Sequence, residues 1–563
     1  MQPLKIARMK MKWLFFLGAV CACAWWLAPH SRGNPPAAGA GDPPKEVLFV
    51  PVKIDGPVHN PARHTFWWGP FAECSSVLDI NGDGKLDIAA GRNYYLAPNW
   101  TKVADYREGA ATNGPDVDDN FEGSMDVNND GRPDVLSSGW MLRQGIYWYE
   151  NPGKTGAKWP DHEMLKADGL EGMVIGNLSG HGPKDVLVNF FARKPGRSLI
   201  WFEHLNQAPW FKQHTLGPEN VGVSHGNGIG DINGDGRDDV VTTSGWFESP
   251  AHPTEDPWIW HPDWQFESYL PAGSGGRGST GAGLPILVAD VNGDGLNDII
   301  IGSDHGYGLA WLEQKMQGGK RTFVRHWIET EFPTLHTMVL ADVDGDGKPE
   351  LITGKQIFAH NGGDTGSYDP QFIFYYSFNG GNVQRHVISY TPVAQYFPPY
   401  DDPLKSKQQP PTNVLGLGMR VNAADMDGDG KIDIIVACKT GLYILYNKGL
   451  VAHQAGTGSM TYLPPREAYP GSIAWETGER GPGSGSGCLP GERLFPGGAM
   501  VLVEKHLPLR VRLPLAASVH QRPQDLGSRG ADVIDDDVAA RVDRWTVGTG
   551  KQRAVRRVVG TAV

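Results

Sequence analysis

The amino-acid sequence predicts an all-β chain, a seven-bladed β-propeller closed into a ring by an N-terminal strand. Three observations predict it. A nine-residue acidic loop recurs seven times, short β-branched runs flank each copy, and aromatic segments fill the intervals. Self-similarity at a spacing of roughly 50 residues marks an array of equal supersecondary units. Two strands around a loop, followed by two further strands in each unit, make a propeller blade.

The loop is Asp79-Ile80-Asn81-Gly82-Asp83-Gly84-Lys85-Leu86-Asp87, and it returns from Asp126, Asp231, Asp290, Asp342 and Asp425. A worn copy runs from Asn177 to Asp185, and successive starts lie 47, 51, 54, 59, 52 and 83 residues apart. Oxygen-bearing side chains stand at positions 1, 3, 5 and 9. They are Asp79, Asn81, Asp83 and Asp87 in the first unit and Asp126, Asn128, Asp130 and Asp134 in the second. The fourth has Asp231, Asn233, Asp235 and Asp239, and the fifth Asp290, Asn292, Asp294 and Asp298. The sixth has Asp342, Asp344, Asp346 and Glu350, and the seventh Asp425, Asp427, Asp429 and Asp433. These oxygens, with the position-7 carbonyl, suit one hard cation, Ca2+, and Gly at position 6 permits the sharp turn. Six structural calcium sites are therefore expected. The third unit, with Asn177, Ser179 and His181 in place of the acids, is expected to lack one.

Residues 1–28 read as a signal peptide: Lys5, Arg8, Lys10 and Lys12 precede the apolar run Trp13–Ala28, which is short for a membrane span. Left uncleaved, it would be the chain's one membrane contact. A Pro/Gly/Ala linker follows over 29–45, and the propeller is expected over 46–449. Its last unit stops at a third strand, Leu442–Tyr446. The stretch Val47–Asp55 resembles an outer strand, and it supplies the missing fourth strand so that no edge is left open.

Within the units, Ile88-Ala89-Ala90, Val240-Val241-Thr242-Thr243 and Ile299-Ile300-Ile301 read as second strands. Ile146–Glu150, Leu199–Glu203, Leu309–Glu313 and Phe372–Tyr376 read as third strands. Segments opening at His162, His214, His326 and His386 read as outer strands. Thr391–Thr412, rich in Pro and Tyr, reads as an insertion between the last two blades. Residues 450–563, where Gly, Arg and Pro come to dominate, read as a low-order tail.

The formal charge of −12 argues against a nucleic-acid partner. Cys74, Cys438 and Cys488 are too few and too scattered for a disulfide framework, so Cys74 and Cys438 read as free thiols. With the signal, this places the chain outside the cell or in the periplasm and cell envelope.

Candidate chemistry sits away from the loops. Counting back six residues from each loop start gives Glu73, Asn120, Glu171, His225, Leu284, His336 and Met419, with Glu122 two residues on in the second unit. Equal offsets on equivalent strands point the same way, so several of these side chains are expected to converge at one rim of the central funnel. His225, His336 and Glu171 would hold Zn2+ or another divalent metal, and Glu122, Glu73 or His305 would act as the base. The alternative is a wet rim that tolerates polar residues without chemistry. Connections after the second strands carry Arg92–Tyr95, Ser138–Trp140, Arg193-Lys194, Ser244–Trp246, Asp304–Tyr307 and Lys355-Gln356. Their aromatics and donors would suit a carbohydrate or another small polar ligand, unless Trp140 and Trp246 pack between blades instead.

The repeated loops and their flanking strands resemble FG-GAP/VCBS repeats, which build the propellers of integrin α-chains and of many secreted bacterial proteins. That resemblance implies the fold and calcium. Ser224–Arg237 and Thr242–Glu248 are similar to the propeller of aldos-2-ulose dehydratases, which implies a carbon–oxygen lyase eliminating water from oxidised sugars with zinc involved. The cupin domains that follow that propeller find no counterpart in this sequence. Two functional readings stand: a carbohydrate-active lyase or dehydratase, and a non-catalytic carbohydrate- or protein-binding propeller of adhesion type.

Overall fold

The computed structural model describes residues 45–56, 72–107, 121–139, 143–182, 184–270, 278–357, 359, 364, 369–391 and 415–452. For their backbone alone it also describes 112–113, 116–117, 492–494, 500–502, 541–546 and 554–559. The expected signal, the linker up to residue 44 and residues 392–412 of the expected insertion, with Asn120, Trp140 and Cys488, lie outside these residues.

Seven four-stranded antiparallel sheets follow one another along the chain. Blade one is Ser76–Leu78, Asp87–Ala90, Asn93–Leu96 and Thr101–Val103. Blade two is Phe121–Met125, Asp134–Gly139, Gly145–Tyr149 and Asp161–Leu165. Blade three is Leu170–Gly176, Asp185–Phe190, Ile200–His204 and Phe211–Thr215. Blade four is Asn227–Gly230, Asp239–Thr242, Gly245–Glu248 and Ile259–His261. Blades five and six end in longer hairpins. Blade five is Leu287–Ala289, Asp298–Gly302, Tyr307–Gln317 and Lys320–Pro333; blade six is Met338–Ala341, Glu350–Gly354, Gln371–Asn379 and Asn382–Thr391.

Blade seven takes Val421–Ala424, Asp433–Cys438 and Gly441–Ala452 from its own segment, and its outer strand is Lys45–Asp55. The N-terminal strand therefore closes the ring as expected, two residues longer than Val47–Asp55. Phe49 lies opposite Asn447 and Val50 opposite Tyr446. Val47 and Phe49 are fully buried, each worth about 1.5–3 kcal/mol relative to exposure.

The burial pattern explains the sequence texture. Second strands are covered on both faces, so they read as unbroken apolar runs: Ile299, Ile300 and Ile301 are all buried. Outer strands such as Asp161–Leu165 face solvent on one side and alternate. The core lies between blades, each cluster drawn from neighbours. One joins Ile88, Ala90 and Tyr95 of blade one to Ile435, Ala437, Leu442 and Ile444 of blade seven, across the point of closure.

Three of the expected rim aromatics belong to this packing instead. Tyr94, Tyr95 and Trp246 lie in third strands and are buried, and Trp246 donates its indole N–H to Asp263. They present no face to a sugar. Cys74 and Cys438 are buried free thiols on neighbouring blades. In the tail, Glu492–Leu494 pairs with Met500–Leu502, and Arg541–Thr546 pairs with Ala554–Val559.

Candidate functional site

The shared offset does bring side chains together. His225 precedes the inner strand of blade four, His336 that of blade six, and Glu171 lies at the start of the inner strand of blade three. His305 follows the second strand of blade five. Ring centroids of His225 and His336 are 4.8 Å apart, and His305 lies 5.6 Å from each. One nitrogen from each of the three rings falls within 4.8 Å of the others. Glu171 reaches this group with Oε2 at 3.5 Å from His225 Nε2 and Oε1 at 3.9 Å from His336 Nε2.

The surrounding shell orients the rings. His225 Nδ1 donates to the Ala282 carbonyl at 2.5 Å, which turns Nε2 toward Glu171. His305 Nδ1 lies 3.0 Å from Asp364 Oδ2, which orients the ring. Such acceptors behind a histidine fix its tautomer toward a ligand. Asp304, almost wholly buried, sits between the two rings with Oδ2 at 3.7 Å from His225 Nδ1 and 3.8 Å from His305 Nε2. Its other oxygen accepts Ser279 Oγ and the His305 backbone N–H. His225 Nε2 and both ring nitrogens of His336 are buried without a hydrogen bond. Buried polar atoms left so are costly unless something binds them.

Charge is as unusual as geometry here. Burial alone would lower the His225 pKa, but the adjacent Glu171 carboxylate outweighs it and lifts the value to about 9. Burial would raise Glu171, yet the charge of His225 and then of His336 holds it at about 2. Burial, reinforced by the charge of His225, drives His336 down to about 3. A nitrogen-rich set with one carboxylate fits a divalent transition metal. His225 and His336 are buried, while the His305 side chain keeps 26% of its exposure and opens the site to solvent.

Glu73 and Glu122 are not part of this group. Glu122 forms a fully buried ion pair with Arg107, and Arg420 donates to the Glu122 carbonyl. Burial pushes the Glu122 carboxyl up against the pull of Arg107 and Arg420. Glu73 pairs with Lys439 at 3.2 Å. Both acids share the offset logic but are neutralised by cations, which leaves neither as a free base. Asp304 was read only as part of a ligand-facing rim connection, not as a partner of the histidines, and Asp364 was not singled out. The Asp304-His305 doublet at the end of a second strand was the available signal; Asp364 had none.

The acidic loops have a common internal geometry. In blade one, Asp79 accepts the N–H groups of Gly82, Asp83 and Gly84, and Asn81 Oδ1 accepts that of Asp83. Oxygens of Asp342, Asp344 and Glu350, and of Asp425, Asp427 and Asp433, each crowd within 4.8 Å of one another. The position-9 acid makes backbone hydrogen bonds that spacing did not reveal. Asp134 accepts Val127 N at 2.9 Å and Asn151 N at 2.7 Å, tying the loop to the third strand. Asp239, Asp298 and Asp433 repeat the pattern. So does Asp185 of the worn loop, through Ser179 N and His204 N. That explains why Asp185 is the one acid the third loop keeps.

An FG-GAP-like repeat model matches residues 290–353, which hold the loops of blades five and six. Among solved structures, the chain is similar to the V. cholerae biofilm matrix protein Bap1 at 12% identity, covering 69% of this chain and 81% of that one with a TM-score of 0.26. No curated protein matches the chain.

Proposed function

We propose that this chain is an exported, calcium-stapled propeller that acts as a metal-dependent carbon–oxygen lyase on a small polar, carbohydrate-like substrate. The observation that carries the reading is the convergence of His225, His305 and His336 around Glu171, with His225 Nε2 and both His336 ring nitrogens buried without a close hydrogen bond. His225, His336 and Glu171 would hold a divalent metal, Zn2+ or a close relative, which would supply Lewis-acid polarisation of a carbonyl oxygen. His305 is the base. It is the ring that reaches solvent, Asp364 behind Nδ1 orients it, and it takes the proton α to the carbonyl. His305 then hands that proton to the departing β-hydroxyl, which leaves as water as the Cβ–O bond breaks and the Cα–Cβ double bond of an enone forms. Calcium in six loops holds the blades, and the third loop holds none. Elemental analysis after calcium exchange tests the first step: about one transition metal per chain, lost in His225→Ala and His336→Ala. His305→Ala should keep the metal and lose formation of the UV-absorbing enone from oxidised sugars.

A second reading rests on burial. His336 is 1% exposed and His225 6%, and closed sites of this kind are structural. The chain is then a non-catalytic binding propeller pinned at its axis. Loss of metal from His305→Ala as well would favour it.

A further inference from the structure

The seven blades are seven versions of one loop, and their differences are correlated. In blades two, four and five, position 3 is an amide whose Nδ2 donates to a glutamate on the third strand. Asn128 reaches Glu150 Oε1 at 3.3 Å, Asn233 reaches Glu248 at 3.3 Å, and Asn292 reaches Glu313 at 3.0 Å. The second oxygen of each glutamate lies 3.0, 2.7 and 2.9 Å from Nε2 of His162, His261 and His326. Those rings stack on Trp148, Trp246 and Trp311 directly across the ladder, with centroids 4.0, 4.3 and 4.6 Å apart. Meanwhile the Asn Oδ1 is held inside the loop by the N–H of position 5, at 3.1 Å for Asp130 and 2.9 Å for Asp235 and Asp294.

Where position 3 is itself an acid, the glutamate is absent. Blades six and seven have Asp344 and Asp427 there. The register places Ser377 and Tyr446 where Glu313 stands, two residues beyond the partner of Ile352 or Ile435. A carboxylate in that place would face another at about 3 Å, a like-charge contact that an amide converts into a hydrogen bond. Blade three, with Ser179 at position 3, keeps Glu203 on His214 and turns its other oxygen to His181 at position 5, 3.8 Å away, rather than to position 3. Blade one has Asn81 with Leu96 in the glutamate's place.

We infer that Glu150, Glu248 and Glu313 are part of the cation loops: each lends its carboxylate charge to an amide-bearing loop and holds the Asn Oδ1 turned toward the ion. This rests on the calcium reading of the loops. Charge around a calcium site tunes its affinity, so the loops of blades two, four and five match those of six and seven by a different route. Loop one, which has neither the acid at position 3 nor the glutamate, is the weakest of the six and releases its ion first.

The test is equilibrium dialysis of calcium with the full chain and with E248Q, N233D, and the pair N233D/E248S that copies blade six. E248Q should weaken one site about tenfold and leave the others unchanged, and N233D/E248S should restore it. N233D with Glu248 in place should melt lower than N233D/E248S. Calcium binding by E248Q identical to that of the parent, or a double variant as weak as E248Q, overturns the inference. E313Q repeats the measurement in blade five should E248Q fail to fold. A parent chain that binds no calcium overturns the loop reading instead, and the two failures are thereby told apart.

Discussion

Asn447 shows how single side chains join blades. Its Nδ2 donates to Val343 O at 2.7 Å in blade six and to Ile432 O at 3.1 Å, and its Oδ1 accepts Gly449 N at 2.8 Å. Asn151 bonds Ile80 O in the same way, Gln314 bonds Ile232 O, and His204 bonds Val127 O. Each time the acceptor is the position-2 carbonyl of the preceding blade's loop. Asn447→Ala strands a buried carbonyl and an N–H together, so it should cost about 1–3 kcal/mol in denaturant unfolding. An unchanged midpoint would count against the stitching role. At the funnel, an ideal Cβ on Gly281 would come within 1.9 Å of Asp304 Oδ2. Gly281→Ala should therefore displace Asp304 and disturb both rings beside it, lowering bound transition metal while the melting temperature in calcium holds. The offset rule made His225, His336 and Glu171 legible in the sequence because strand geometry repeats. It could not say that Arg107 and Lys439 would neutralise Glu122 and Glu73, since those cations arrive from other offsets.

At the scale of the element, the loop and its strands carry a pH dependence of definite sign. Burial pushes the position-9 carboxyls up, to about 7 for Asp134, Asp239 and Glu350 and about 6 for Asp298, against the backbone N–H groups that pull them down. These acids keep a proton in the folded chain that the unfolded chain releases near pH 4. The folded state then binds more protons between those values, so stability falls as pH rises from about 4 to about 7. A bound cation favours the ionised form and removes the penalty. Melting curves in chelator should decline across that range, and curves in excess calcium should not; parallel curves would leave calcium no role in these loops. The loop was legible because its spelling is dictated by turn and ligand chemistry together. The hydrogen bonds of position 9 were not, because the second N–H lies ten or more residues away, at or near the third strand, as Ser249 does for Asp239 and Asn151 for Asp134.

For the whole molecule, closure is the feature on which the other six blades depend. The ring is completed by Lys45–Asp55, and both ends of that strand are tied beyond blade seven. Val47 N donates to Tyr375 Oη in blade six at 3.1 Å. Asp55 takes Tyr95 Oη and Lys102 Nζ of blade one, each at 2.6 Å. Glu46 adds a contact to His386 at 3.4 Å, where His386 also meets Ser377. Blade six thus receives from the closing strand the acid that Glu313 supplies within blade five. Removing residues 45–55 strips the outer edge from Gly441–Ala452 and uncovers the cluster that includes Tyr375, Tyr443 and Leu445. Because each blade packs on its two neighbours, the loosening should be graded around the ring. Hydrogen exchange of the truncated chain should rise most in Gly441–Ala452, Gln371–Asn379 and Asn93–Leu96, and least in blades three and four on the far side. Uniform acceleration everywhere would mean instead that the ring unfolds as one unit. Protection unchanged in Gly441–Ala452 would mean that the strand contributes nothing to closure.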